Sequence, residues 1–361
     1  MQRQPRRVWL AAVVALFVAG AACSSGTGAP AQQPSKPGAQ SSGAPAASGG
    51  AAPAAPSNAA PDKLTFRLGF FLAGQRLPYV TALKKGYYQA ENLDVELREG
   101  EGGVANAQLV ANGNLMIGES DAASTASLRD KGINLKVIST FGQVSSMAIV
   151  GWKDAGLNAP ADLAGKRLGV TPGEVPLLVL PAFLTNNRVD PGSVRQVPVD
   201  GATKFTTFVN HQTDAATTYI TSLPPPYFAQ QDQFNLFMYS DSGLSMLADC
   251  LMVTDDTIRT NGDALRRFLR ATVRAFKDCE SDPTECAQYA KQFKETADPD
   301  LLLKQWALSV PLWHTANTQG KPIGWMAEQD WVTTLDILRN NGLLNTPTQP
   351  SDVYTNDLLP S

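Results

Sequence analysis

The sequence is poor in the residues that build metal sites. It has two histidines and four cysteines among 361 residues, and neither an H-E-x-x-H nor a C-x-x-C pattern occurs in it. We therefore expect no metal site. Its charges are nearly balanced, with a formal net charge of −3 at pH 7. Because nucleic acids and anionic membrane surfaces attract a basic surplus, neither is an expected partner.

Long apolar runs are also scarce, which limits how the chain can meet a membrane. The run at residues 8–22 contains roughly 15 apolar or small residues, fewer than the about 20 that span a bilayer as a helix. It follows three arginines, at positions 3, 6 and 7. This pattern predicts an export signal over residues 1–22. No second run approaches transmembrane length.

The end of the predicted signal resembles the cleavage site of a bacterial lipoprotein, with small residues directly before Cys23. Gly20 stands where an aliphatic residue is usual, so plain secretion is the alternative. Residues 24–61 are mostly Ser, Gly, Ala, Pro and Gln, with Lys36 as their only charge. They have almost nothing to bury, so we predict that residues 23–62 are a lipidated cysteine and a disordered tether. The folded body would then work outside the cytoplasm, periplasmic or cell-surface, held to the membrane by a lipid anchor.

Strand-like and helix-like patterns alternate after this tether. Apolar residues occupy every second position from Leu64 to Phe70, Pro78 suits the first turn of a helix, and residues 93–97 return to period two. The alternation continues to about residue 244 and indicates an α/β fold of βαβ units with largely parallel sheets. Further predicted segments are strands at 115–118, 135–138 and 147–150 and a helix at 175–186.

The chain is long enough for two domains, since a single core rarely grows beyond about 250–300 residues. We predict a first α/β domain from residues 63–152 and 245–361, and a smaller second α/β domain from residues 153–244. The strand predicted at 247–253 would return to the first sheet. The helical segments predicted after it, the last of them at residues 328–340, would cover that sheet.

The loops at the carboxyl ends of the predicted strands are the expected binding site, because ligands of open α/β sheets lie there. They cover residues 71–79, 118–121, 171–176 and 219–224, and two modules joined by crossing strands would place them on facing walls of a cleft. The candidate ligand-binding residues are Phe71, Gln75, Arg76, Tyr79, Glu119, Ser120, Asp121, Thr171, Gly173, Glu174, Val175 and Tyr219. Helix capping is the alternative role for Glu119 and Asp121.

Two loose motifs raise the question of catalysis. The segment GESDA at 118–122 is similar to a nucleophile elbow, but Ala122 replaces its last glycine, and only His211 and His314 could serve as the base. The segment GEGGVA at 100–105 fits a dinucleotide-binding pattern only weakly, and a tight strand-to-helix turn is the better interpretation. Nicotinamide cofactors are not expected outside the cytoplasm. We therefore expect a binding protein without a cofactor.

Five ordered segments resemble solute-binding proteins of ABC importers, in the nitrate/sulfonate/taurine and thiamine-pyrimidine-precursor group. They are ALKKGYYQAENLDVEL, the segment 113–121, DLAGKRLGV, VDGATKF and YTNDLLP. The resemblance implies a two-lobed, type II periplasmic-binding-protein-like fold with two hinge crossings, no catalysis, and delivery of a small molecule to an ABC transporter permease. We expect the protein to be a monomer. A thiamine-pyrimidine synthase shares this fold, but its cysteine-rich iron-binding motif is missing here. A sensory role is a further alternative.

The residue types in the candidate loops bear on the ligand. Glu119, Asp121 and Glu174 would disfavour an anion, and aromatic residues accompany them at Phe70, Phe71, Tyr79, Tyr219 and Tyr227. Aromatic faces with carboxylates suit a flat, amine-bearing or cationic ring. We expect a pyrimidine-like or other nitrogen heterocycle. A sulfonate, nitrate or taurine-type anion held by Arg76 is the alternative. Core packing is the alternative role of each aromatic residue, and it is favoured for Phe70.

The cysteines agree with export. Cys279 and Cys286 flank a short loop between two predicted helices, so they either form a disulfide or end two helices as unpaired thiols. Cys250 lies in an apolar strand and is expected to be a small buried hydrophobic residue.

Overall fold

The computed structural model describes residues 60–360, so the predicted export signal, Cys23 and nearly all of the predicted tether lie outside the described residues. Strands in the described range are β1 (Asp62–Arg67), β2 (Leu93–Arg98), β3 (Ile117–Ser120), β4 (Leu135–Thr140), β5 (Met147–Trp152), β6 (Arg167–Val170), β7 (Arg195–Pro198), β8 (Ala215–Tyr219), β9 (Phe234–Met238) and β10 (Cys250–Thr254). Helices are α1 (Leu77–Lys84), α2 (Tyr87–Ala90), α3 (Gly103–Ala111), α4 (Ala122–Asp130), α5 (Val175–Leu178), α6 (Leu180–Asn186), α7 (Lys204–Val209), α8 (Pro225–Ala229), α9 (Asp255–Ser281), α10 (Pro283–Phe293), α11 (Pro299–Ser309), α12 (Glu328–Asn340) and α13 (Pro350–Val353).

The strands form two five-stranded sheets, in the orders β2-β1-β3-β10-β4 and β7-β6-β8-β5-β9. We call the first sheet with its helices the first lobe and the second sheet with its helices the second lobe. In each sheet the strand that runs antiparallel to both neighbours is the one that arrives from the other lobe: β10 in the first sheet and β5 in the second. The return of the chain to the first sheet at β10 is as predicted.

One strand lies in a different lobe from the one predicted. The predicted first domain ends at residue 152 and therefore includes β5, but β5 pairs with β8 and β9 in the second sheet. All six residues of β5 are buried, so its sequence is a continuous apolar run that carries no sign of which sheet it joins. The two crossings between the lobes are therefore residues 141–146 and 239–249.

The start of the first lobe shows why the first binding loop lies where it does. Leu64, Phe66 and Leu68 are buried, but β1 ends at Arg67 and the side chain of Phe70 is 39% exposed. The predictions that the strand continues to Phe70, and that Phe70 packs in the core, are therefore wrong. A turn of 3-10 helix, Gly74–Arg76, follows and leads into α1.

Gly74 is required at that turn because α11 crosses it closely. A Cβ atom at Gly74 would lie 2.2 Å from the backbone nitrogen of Trp306 and 2.5 Å from the carbonyl oxygen of Leu302. The turn therefore packs directly against α11, which fixes the position of the side chains that follow it.

The C-terminal helices cover the first sheet and carry the disulfide. The helix α9 spans 27 residues with a kink at Asn261, and it buries residues such as Phe268 and Phe276 against the core of the first lobe. Cys279, near its end, is bonded to Cys286 of α10, with 5.6 Å between the two Cα atoms. The structure therefore contains the bridged form of the two alternatives, while Cys250 is a buried free thiol. Among residues 60–360, no helix combines the length and apolarity needed to cross a bilayer.

Candidate functional site

The cleft between the lobes is closed by contacts from α11 and the Gly74–Arg76 turn. The amide nitrogen of Gln305 donates to the carbonyl of Leu223 in the second lobe (3.0 Å), and its oxygen accepts from the backbone of Gly74 (2.9 Å). In the orientation that satisfies both ends of its amide, Gln75 donates to the Thr221 carbonyl at 2.9 Å and accepts from Arg76 at 3.2 Å. First-lobe and second-lobe residues are therefore in direct contact.

A cavity of about 10 Å³ remains at this contact, which is room for about one water molecule. It lies where the crossings meet both lobes, and it is too small for a ligand larger than a water molecule. Of the predicted site residues, three line it: Gln75, Tyr79 and Glu119. Other lining residues, none of them among the candidate ligand-binding residues, include Ser146, Thr221, Asp249, Phe276 and Trp313.

Arg76 and Glu119 form an ion pair in which both side chains are buried, with exposed fractions of 7% and 1%. The Nε of Arg76 donates to Oε2 of Glu119 at 2.8 Å, and the backbone of Gly69 donates to the same oxygen at 2.6 Å. Arg76 also donates to the carbonyl of Phe71 (3.2 Å). Burial lowers the pKa of Arg76, but the charges of Glu119 and Asp249 outweigh it and raise that pKa above its usual value. Glu119 therefore belongs to an ion pair and caps no helix.

Asp249 is the acidic residue of the cavity that the sequence prediction missed. It ends the second crossing, directly before β10, and its carbonyl accepts from the backbones of Phe141 (2.9 Å) and Gly142 (3.2 Å) of the first crossing. Burial, followed by the charge of Glu119, raises the pKa of the Asp249 carboxyl to about 7, although Arg76 opposes the shift. An acid inside the apolar segment LADCLMV was the signal that could have identified it.

Two further predicted site residues are Ser120, the last residue of β3, and Asp121, which follows it. Asp121 is the N-cap of α4: its carboxylate accepts from the backbone of Ser124 at 2.7 Å and from the Ser124 hydroxyl at 2.9 Å. The capping role is therefore present. Burial raises the pKa of Asp121, while the bonds from Ser124 lower it. Ser120 is buried, and its hydroxyl oxygen has no partner among the described residues.

In the second lobe, Glu174 is held by its own neighbours. Its carboxylate accepts from the backbone of Thr171 at 2.8 Å, from the hydroxyl of Thr217, and from Lys204, whose side chain is 12% exposed. Burial lowers the pKa of Lys204, although the charge of Glu174 raises it. Glu174 therefore links the predicted loop to β8 through Thr217 and to α7 through Lys204. Lys204, from the segment VDGATKF, is a second cation that the prediction did not include.

The remaining residues of that loop have backbone or packing roles. Gly173 has φ +83°, a left-handed conformation that favours glycine, which lets the chain turn from β6 into α5. Val175 is buried in a core cluster together with residues of β6 and α6. The backbone of Thr171 binds Glu174, and its buried hydroxyl oxygen has no partner among residues 60–360.

The aromatic residues divide between the cavity, the core and the surface. Tyr79 is 1% exposed and packs edge-on against Phe66 at 5.0 Å, so it lines the cavity from a fixed position. Phe71 is 50% exposed beside Phe70, with the ammonium of Lys294 5.6 Å from its ring centre. Phe71 is therefore on the protein surface and does not line the cavity. Tyr227 packs against Phe234 with 5.7 Å between ring centres, which is the core-packing alternative.

Tyr219 is affected by the charges of carboxylates from both lobes. Burial raises the pKa of Tyr219 well above its usual value, and the negative charges of Asp121, Glu174 and Asp249 raise it further. Carboxylates from both lobes thus act on one phenol. In the described part of the chain, no group of three or more His, Cys, Asp or Glu side chains is arranged to hold a metal ion.

Known proteins are similar to this chain in sequence and in fold. The chain is 24% identical over 306 residues to riboflavin-binding protein RibY of Chloroflexus aurantiacus, covering 82% of this chain and 86% of the relative. It is 22% identical over 280 residues to the formylaminopyrimidine-binding protein of Halalkalibacterium halodurans, covering 76% and 84%. Its fold matches that of the alkanesulfonate-binding protein SsuA of Xanthomonas axonopodis, bound to MOPS, with a TM-score of 0.62, 14% identity, and coverage of 82% and 99%.

The predicted fold is confirmed: this is the two-lobed fold of periplasmic binding proteins. A family profile described as "NMT1/THI5 like" matches residues 74–286, which is more than half of the chain. The chain therefore belongs to the NMT1/THI5-like family.

Proposed function

We propose that this chain is an extracytoplasmic solute-binding protein that captures a flat nitrogen heterocycle between its lobes and delivers it to the permease of an ABC importer. The observation that carries the proposal is the charge of the cleft. Among residues 60–360, Arg76 and Lys204 are each paired with a carboxylate, Glu119 and Glu174 respectively. Neither Asp121 nor Asp249 forms a salt bridge within that range, so these carboxyl groups exceed the two cations, which opposes an anionic ligand.

The ligands named for the two relatives support a ring of this kind. One relative is a riboflavin-binding protein and the other a formylaminopyrimidine-binding protein. Both molecules contain a pyrimidine ring with nitrogen atoms at its edge. The cavity of this chain combines aromatic walls, such as Tyr79 and Trp313, with carboxyl and hydroxyl groups. Such a lining suits a planar heterocycle.

An oxyanion of the sulfonate or nitrate type is the second candidate ligand, because the alkanesulfonate-binding protein has the same fold. Two features of this chain weigh against it. Arg76, the expected anion anchor, donates to Glu119 and Phe71. The amino end of α4, which could bind an anion through its amides, is capped by Asp121, whose negative charge would repel that anion.

A binding role without catalysis agrees with the positions of the histidines. His211 is exposed and stacks on Trp152 with 3.9 Å between ring centres, and the Nδ1 of His314 contacts the carbonyl of Thr318 at 3.1 Å. Neither lines the cavity beside Glu119. Ser120 therefore has no histidine base, and the nucleophile-elbow alternative gains no support.

The proposal includes a membrane tether. Cys23 would carry the lipid, residues 24–61 would link it to the folded body, and the body would act as a monomer that meets the permease. Labelling cells with an alkyne-bearing fatty acid tests the anchor: the wild-type chain is expected to take up the label and a Cys23→Ser variant is not. Equal labelling of both would contradict the anchor.

Thermal unfolding of the full chain against a ligand panel tests the function. The panel is 4-aminopyrimidine, riboflavin, thiamine, taurine, methanesulfonate and nitrate. A ligand present at about a hundred times its Kd stabilises the folded state by about 2.7 kcal/mol, which raises the Tm measurably. We expect a shift with at least one nitrogen heterocycle and none with the anions. A shift with methanesulfonate or nitrate alone would contradict the proposed ligand class.

A further inference from the structure

Helix α11 of the first lobe has one face that contacts the second lobe. Gln305 on this face donates to the carbonyl of Leu223 at 3.0 Å. Leu308 packs against a small apolar cluster of the second lobe that includes Leu223. The ammonium of Lys304 lies 5.5 Å from the ring centre of Phe228, in α8. The contact between α11 and the second lobe therefore combines a hydrogen bond, apolar packing and a cation–π interaction.

A groove lies beside this contact, between α8 and α11, with a volume of about 380 Å³. Sites for small molecules typically enclose about 300–1,000 Å³. The lining residues are Phe228 and Gln231 of the second lobe and Lys304, Ala307 and Leu308 of α11. None of them lines the cavity beside Glu119. The groove is therefore a second concave surface, separate from the candidate site, and both lobes contribute to it.

The lining of the groove is apolar apart from two side chains. Phe228 and Leu308 are half-buried and offer a ring face and a branched side chain, while Ala307 is exposed beside them. Lys304 is the only charged lining residue, it is exposed, and its ammonium forms no salt bridge within residues 60–360. The amide of Gln231 adds a neutral donor. The groove therefore offers an apolar surface with one cation.

This combination matches a small carboxylic acid with an aromatic body. A ring can pack against Phe228 and Leu308, and its carboxylate can form a charge-assisted hydrogen bond with Lys304. A phosphate monoester fits less well, because it carries a charge of about −1.5 to −2 at pH 7 and would meet a single cation. A ligand with an ammonium group is disfavoured, because the charge of Lys304 repels it.

We propose that the groove between α8 and α11 is a second ligand site, which binds a small aromatic carboxylic acid and thereby favours the closed arrangement of the lobes. The groove is complete only while α8 and α11 are in contact. A ligand that binds one of two states shifts the equilibrium toward that state by its difference in affinity. An acid bound here therefore acts as an effector, and it raises the affinity of any ligand that the closed cleft holds. This site is distinct from that of the proposed function, whose ligand occupies the cleft.

Calorimetric titration of the full chain with two matched probes tests the site. Phenylacetate has the proposed chemistry, and phenylacetamide has nearly the same shape without the charge. Lys304→Gln removes the ammonium. Lys131→Gln, at the end of α4, is the control, since Lys131 is also an exposed lysine of the first lobe without a salt bridge within residues 60–360.

We expect phenylacetate to bind the wild-type chain and Lys131→Gln equally. Its affinity for Lys304→Gln should be about tenfold lower, because the charge-assisted hydrogen bond is lost. For the same reason phenylacetamide should bind the wild-type chain about tenfold more weakly than phenylacetate does.

The distance between spin labels on the two lobes tests the coupling to closure. Glu101 in the first lobe and Ala202 in the second are exposed, so cysteines at these positions can be labelled in a chain that also carries Cys23→Ser. We expect phenylacetate alone, without any ligand in the cleft, to shorten the mean distance measured by pulsed electron paramagnetic resonance. With Lys304→Gln in the same chain, an equal amount of phenylacetate should shorten it less.

Three results would overturn the second site: no binding of phenylacetate, equal affinity of phenylacetate for the wild-type chain and Lys304→Gln, or binding that leaves the distance between the lobes unchanged. Equal affinity would mean that the probe binds elsewhere, such as in the cleft. The proposed function stands or fails separately, because its test uses the panel of heterocycles and small anions and involves no aromatic carboxylic acid.

Discussion

At the scale of single residues, the ion pair between Arg76 and Glu119 is the main buried contact that holds the site together. Both side chains are buried, and each has further bonds to the loop after β1. Such a pair adds little net stability, because two charges had to be taken out of water to form it. Removing one partner is different, since it leaves the other charge buried and uncompensated. The pair therefore constrains the loop more than it stabilises the fold.

We predict that Glu119→Gln lowers the free energy of unfolding by about 3–5 kcal/mol, because the Arg76 guanidinium is then buried without a carboxylate. Urea unfolding of the full chain measures the loss. Glu96→Gln is the matched control, since Glu96 pairs with Arg98 on the surface with both side chains more than half exposed. Exposed pairs contribute about 0–1 kcal/mol. Equal losses for the two variants would contradict the buried pair.

Asp249 gives the second residue-scale prediction, on the pH dependence of stability. The pKa of its carboxyl is about 7 in the folded state and 3.8 as the ordinary value, so the folded state binds more protons between these two pH values. The stability contributed by this group is complete at low pH and is lost as the pH rises from about 4 to about 7. The Asp249→Asn variant has no carboxyl group to ionise at this position, so it does not lose this stability as the pH rises. Its Tm should exceed that of the wild-type chain at about pH 8, and the excess should disappear near pH 4.

A Tm of Asp249→Asn that lies below the wild-type Tm at about pH 8 would contradict this assignment, since the ionised carboxylate would then be a stabilising group. The predicted sign is that of a binding residue, which commonly costs the free protein stability.

Residue types and loops suggested Arg76 and Glu119 from the sequence, but not that they bind each other across 43 positions. That pairing depends on β1 and β3 being neighbours.

At the scale of elements, strongly patterned segments were predicted well. The helix predicted at 328–340 is α12, and β10 joins the first sheet as expected. The helix predicted at 175–186 is divided into α5 and α6 at Val179, because Pro181 lacks the N–H that a continuous helix needs and its ring crowds the preceding turn. The strand predicted at 115–118 is β3, two residues further on. The local sequence pattern therefore predicts whether a segment is a helix or a strand better than it predicts where that segment begins and ends.

The disulfide between α9 and α10 gives the element-scale prediction. Replacing Cys279 and Cys286 together by alanine opens a loop with a sequence separation of 7. The entropy of the unfolded chain then rises, and we expect the free energy of unfolding to fall by about 2–3 kcal/mol. Urea unfolding under oxidising conditions measures it, and treating the wild-type chain with a reductant should give a similar loss. Unchanged unfolding in both cases would contradict a disulfide that stabilises this helix pair.

At the scale of the whole molecule, the order of strands and helices and the five resembling segments were enough to predict two α/β lobes joined by two crossings. The closed state of the cleft could not be predicted, because it depends on single contacts such as that of Gln305 with Leu223. Asp249 was missed for a similar reason. Its surroundings come from both crossings and from the end of β3, which are far apart in the sequence.

The closed cleft implies movement. A cavity of about 10 Å³ cannot admit a ring, so the proposed site requires an open form that the ligand enters before the lobes close around it. β2 and β7 are edge strands of the two sheets. Glu101 follows β2 and Ala202 follows β7, and both residues are exposed. Labels at these positions would report the distance between the lobes. Cys250 is buried and Cys279 is bonded to Cys286, so with Cys23→Ser only the introduced cysteines would be labelled.

The most direct test of a cleft that takes a nitrogen heterocycle is the distance between spin labels at Glu101→Cys and Ala202→Cys, measured by pulsed electron paramagnetic resonance. We predict a longer mean distance in the free protein and a shortening when 4-aminopyrimidine is added. Methanesulfonate and nitrate should leave the distance unchanged. A shortening with either anion and none with 4-aminopyrimidine would contradict the account.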